Sequence, residues 1–161
     1  MIPQILRDII AAINSNGDSF AFFHGPKGWQ NLVSDEIEDN WDTATLNADG
    51  KMLPAFYLDK PIRIQPNVLS GGALERKYIC LGMFLYPSDL GNTPAEQDVI
   101  LAKSLAAVDQ FTLRLSEDTQ NIKRYSVGQC YEVEHIFDTP LSGHAVPFEI
   151  VPRRFASVCL T

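Results

Sequence analysis

The sequence predicts an α+β fold: a single domain spanning 1–161, with a mostly antiparallel sheet and an N-terminal helix and a long central helix packed on it. Three observations carry this expectation. Aliphatic residues recur at helical spacing from Ile2 to Ile13. Thr93-Pro94-Ala95-Glu96 has the signature of a helix start. The remaining chain is divided into short apolar runs, punctuated by Gly, Pro, Asn and Asp as strands are.

The first helix carries Ile2, Ile5, Leu6, Ile9, Ile10 and Ile13 on one stripe, with Arg7, Asp8 and Asn14 off it. Asn16-Gly17-Asp18 ends it. The narrow stripe is expected to lie on a sheet or on a neighbouring subunit. Ser19 to His24 reads as a strand with Phe20 and Phe22 on one side and Ala21 and Phe23 on the other. Both sides are apolar, which implies burial in the core or a subunit contact, so Phe20, Phe22 and Phe23 are candidate oligomer contacts. Gly25-Pro26-Lys27-Gly28 is expected to be a turn or loop.

Asp35, Glu36, Glu38, Asp39 and Asp42 then crowd a short acidic stretch interrupted by Trp29, Leu32, Val33, Ile37 and Trp41. A solvated loop face is the reading of such a cluster. Asn47-Ala48-Asp49-Gly50 is a turn signal, fitting a hairpin. Ala55 to Leu58 and Ile62 to Ile64 are strands broken at Pro61, which points to an edge or a bulge. Asn67 to Leu74, containing Gly71-Gly72, reads as a flexible link. Arg76 to Tyr86 reads as a long central strand buried on both sides, with Ile79, Leu81, Met83 and Leu85 opposite Tyr78, Cys80, Phe84 and Tyr86.

The main helix is expected from Pro94 to Leu115, capped by Thr93 with Glu96 three residues on. Leu101, Leu105, Val108, Thr112 and Leu115 form its expected inner face, widened by Val99, Ala102 and Ala106. Tyr125 to Phe137 reads as one strand with a wet side, and Asp138 to Gly143 as the turn of a closing hairpin. In its second strand Val146, Phe148 and Ile150 alternate with more polar positions.

Composition narrows the function. Hydrophobic residues make up 45% and charged residues 20%, ordinary for a globular chain. The net charge of −7 and pI of about 4.8 argue against tight nucleic-acid binding. No apolar run reaches the roughly 20 residues of a membrane span, and the N-terminus lacks the pattern of a signal peptide. Cys80, Cys130 and Cys159 form no CxxC pair and read as reduced thiols, as expected in a reducing cytoplasm.

Catalytic signatures are missing. The Walker, GxGxxG, GxSxG and HExxH patterns do not occur. Thr45-x-Asn47-x-Asp49-Gly50 resembles an EF-hand loop, but Phe56 stands at its twelfth position, where that loop needs a bidentate carboxylate. Glu132, Glu134, His135 and His144 are proper metal ligands, yet consecutive strand residues diverge, so a surface charge row is the reading. Cys130 has no local partner motif with any histidine, and His24 is expected to hydrogen-bond its loop. No catalytic residue, cofactor or metal is therefore assigned, and the chain is read as no enzyme.

The element order is helix, strand, acidic loop, strands, helix, hairpin. Its last part runs Phe137-Asp138-Thr139-Pro140-Leu141-Ser142-Gly143-His144-Ala145-Val146-Pro147-Phe148-Glu149-Ile150-Val151-Pro152. This segment resembles the close of tailed-phage tail terminator and related neck or tail-completion proteins, with their aspartate, leucine-small-glycine turn and alternating apolar strand. The helix after Tyr86-Pro87-Ser88-Asp89 also sits where that family places its main helix. The acidic stretch and Gly71-Gly72 have no counterpart in the pattern.

The resemblance implies a structural virion protein, assembled in the host cytoplasm. It implies a homo-oligomeric ring, typically a hexamer, that caps a tail tube, meets other neck and tube proteins, and lets DNA pass without specific binding. Asp35, Glu36, Glu38 and Asp39 would then face the lumen or an adjoining ring, since carboxylates repel phosphates. The competing expectation is an α+β small-molecule binding domain or enzyme, which needs a pocket of convergent polar groups.

Overall fold

The structure, a computed structural model, describes residues 2–26, 43–136 and 140–153. The acidic stretch with Asp35, Glu36, Glu38, Asp39 and Asp42 lies outside the described residues, as do Trp29, Trp41, Phe137 and Cys159.

Two described helices pack on an eight-stranded mixed sheet, so the α+β expectation holds. The strands are β1 (Ala21–Pro26), β2 (Thr43–Thr45), β3 (Ala55–Lys60), β4 (Arg63–Val68), β5 (Leu74–Pro87), β6 (Ile122–Val127), β7 (Tyr131–Ile136) and β8 (Leu141–Pro152). The helices are α1 (Ile2–Ala11) and α2 (Pro94–Glu117). Every pairing is antiparallel except β1 with β3.

The long antiparallel pair of β5 and β8 is the axis of the sheet. Each of its outer edges is lined by a strand in two pieces. On one side β3 and β4 follow β5 in turn, interrupted at Pro61, which has no N–H for the ladder. On the other, β7 and β6 follow β8. The expected single strand from Tyr125 is thus two strands. The break falls opposite Pro147, whose carbonyl accepts from Gly128 N–H at 2.8 Å. Pro147 offers no donor in return, so the ladder is not continued there.

Alternation then sorts the side chains. Phe22, Phe56, Phe84 and His144 stand in register across β1, β3, β5 and β8 on the helix side. Phe23, Tyr57, Met83 and Ala145 form the matching row on the other side. The main core joins the first side to the α1 stripe and to Val108, Phe111 and Leu115 of α2. Phe111 sits among Phe56, Phe84 and Phe148, with ring centroids 5.5, 5.8 and 5.1 Å away. A second cluster of Ala21, Phe23, Ala55, Tyr57, Met83, Leu85, Leu141 and Ala145 occupies the opposite side.

Several expectations change. Phe20, Phe22 and Phe23 are buried within the chain, at 4%, 2% and 0% exposure, and do not offer a surface to a neighbour. β1 runs on through Gly25 and Pro26, while Lys27 and Gly28, the rest of the expected turn, lie outside the described residues. Asn47 to Gly50 does turn, but β2 and β3 do not pair; they lie on opposite sides of β1. Residues 69–73 are a tight hairpin turn between β4 and β5 rather than a link, and Gly71 and Gly72 adopt the positive φ that it needs. Leu141-Ser142-Gly143 belongs to β8, which is apolar on both sides: Val146, Phe148 and Ile150 join the main core, and Leu141 and Ala145 join the second cluster.

The inner face of α2 is also rotated from the expected one. Gln97, Leu101, Ser104, Ala107, Val108, Phe111 and Leu115 are buried, whereas Val99 and Leu105 are exposed. Phe111 decides this rotation, because only that face brings its ring into the aromatic cluster.

Candidate functional site

Two places deserve description as sites: a polar cluster beneath the first half of α2, and the apolar surfaces left outside the core.

The polar cluster begins at the capped start of α2. Thr93 Oγ1 accepts from Glu96 N–H at 3.3 Å and lies 3.0 Å from Glu96 Oε1, to which it donates. One turn on, Gln97 Nε2 donates to Ser142 Oγ at 2.8 Å, and Asn92 Nδ2 donates to Gln97 Oε1 at 3.3 Å. Ser142 Oγ also accepts from His135 N–H (3.0 Å) and donates to Ser88 Oγ (2.9 Å). Ser88 is left with its own proton for His135 Nδ1, 3.1 Å away. A bulge in β7 between Val133 and Ile136 sets this geometry, and His135 sits in it at φ +50°.

Farther along α2, Ser104 Oγ donates to Leu101 O at 3.0 Å and makes a short hydrogen bond with His144 Nδ1. The serine proton is thereby used, so His144 Nδ1 carries the hydrogen and donates. Burial lowers the His144 pKa, with Glu132, its cross-strand partner, opposing that shift. His144 is thus no member of an exposed charge row. His135 turns to Ser88 and His144 to Ser104, so the four candidate ligands Glu132, Glu134, His135 and His144 do not converge. No group of three or more metal-ligating side chains occurs among the described residues.

The chemistry available here is limited by satisfaction. Ser142 uses two acceptor sites and its donor, and the Ser88 N–H is held by Pro140 O at 3.0 Å. The hydroxyls act as ties between α2, β7, β8 and the segment after β5. Such satisfied buried networks rigidify a core. His24, expected at a strand end, lies inside β1, where Nδ1 donates to Leu58 O at 3.1 Å. Its pKa is lowered by burial. Cys80 is buried, with its thiol pushed up to about 12, and is no nucleophile. Cys130 lies between β6 and β7, half-buried against the main core.

A charged tie closes the far end of the sheet. Glu75 of β5 is held by Lys123 Nζ at 2.9 Å and by a short contact from Arg124 of β6. These two cations, Arg124 first, hold its carboxyl below the usual range. Nothing in the sequence pairs Glu75 with residues 48 and 49 positions away; only the register of β5, β8 and β6 does so.

Among the described residues, two groups of exposed apolar side chains stand out. Leu74–Lys77 pair with β4 and with no other described strand, so β4 and this part of β5 form a two-stranded arm, tied to β6 through Glu75. Ile64, Pro66 and Val68 share one side of it, and Ile64 and Val68 are 55% and 71% exposed. The outward side of α2 carries Val99 and Leu113 at 56% and 54% exposure, together with exposed Ala102. It lies across the helix from the buried stripe.

No family model matches the chain, and no curated protein is significantly similar to it.

Proposed function

We propose that this chain is a structural subunit of a ring at the neck or tail end of a tailed phage, with the role of a tail terminator or a related neck component. The observation that carries the reading is the pair of apolar surfaces just described. A ring is built from heterologous contacts, in which one subunit presents two different patches, each fitting the other on a neighbour. This chain has its core satisfied on both sides of the sheet and still exposes an arm and a helix face of unlike shape. The closing segment from Pro140 to Pro152, which bears the family resemblance, is a central strand of the fold.

In this role the buried ties hold the subunit rigid. DNA passes through without specific recognition, and the −7 net charge disfavours its retention. The test is localisation. Particles carrying the protein with a small epitope tag should be labelled at the junction of head and tail or at the tail end. Label on the capsid shell, or none on the particle, would overturn the reading.

The competing reading is an α+β enzyme or small-molecule binding domain. Its one supporting feature is the Ser88–His135 pair with its strained histidine backbone. Turnover of a small ester by the purified chain, abolished in Ser88→Ala, would favour it.

A further inference from the structure

We draw no further inference here: the strongest candidate, the surface patch of Ile64 and Val68 on the apolar side of the β4–β5 arm, carries nothing because no feature of the structure shows what covers it.

Discussion

Gly143 of β8 lies against the backbone of Phe84 in β5 so closely that a β-carbon at 143 would stand 1.8 Å from the Phe84 carbonyl oxygen. The obstacle is main chain and cannot swing aside. Only glycine allows the central pair of strands to approach here, in the leucine-small-glycine segment that carries the family resemblance. Gly143→Ala should therefore destabilise the fold by about 3 kcal/mol or more, measured by denaturant unfolding, as overpacking against backbone does. An unchanged midpoint would show that β5 and β8 are not so closely paired.

Phe111 is the largest single contribution of α2 to the main core. It is fully buried among Phe56, Phe84 and Phe148. Phe111→Ala should cost about 3–5 kcal/mol. Leu105→Ala, on the exposed side, should cost only a few tenths. Calorimetry of the two variants separates this inner face from one centred on Leu105, for which the order would reverse.

Thr93→Ala should remove the cap on the first turn of α2 and cost about 1 kcal/mol in a thermal or denaturant melt. Thr93→Ser, which keeps the hydroxyl, should recover most of it. Equal loss in both variants would mean that the hydroxyl is not the cap.

Stability should fall in two stages on acidification. His24 and His144 have pKa values lowered from 6.5 by burial, so the unfolded chain binds their protons first. Stability is full above 6.5 and is lost progressively as pH falls below it toward the folded values. Glu75, whose pKa is lowered from 4.5 by Arg124 and Lys123, contributes stability above 4.5 that disappears as pH falls through its folded value. Unfolding midpoints followed across this range check both stages. His144→Gln should remove part of the first, and Glu75→Gln the second. A midpoint that is flat from neutral pH to below 4.5 would contradict the burial of both histidines and the Glu75 clamp.

Much of the fold was legible because its signals are local. The α1 stripe is buried along its length, β1 is apolar on both sides, and Thr93 caps α2 where the sequence places the cap. Pro61 breaks the strand that contains it. What was not legible depends on distant partners. Gln97 and Ser104 look like outward-facing polar residues until Ser142 and His144, 45 and 40 positions away, are brought beneath them. Val99 and Leu105 are as apolar as the residues that are buried, and periodicity could not choose between the two sides of a helix apolar on both. Tyr125 to Ile136 alternates without a visible gap, since Pro147, which ends the ladder, lies on the opposing strand. Of the candidate contact residues, Phe20, Phe22 and Phe23 turned out to be core.

The mass of the native chain in solution, followed as concentration rises, tests the ring claim most directly. The account predicts that the species grows from 17.9 kDa and stops at one fixed multiple, because a closed ring has no free surface left to extend. A chain that remains at 17.9 kDa throughout, or one that grows without limit, would contradict it.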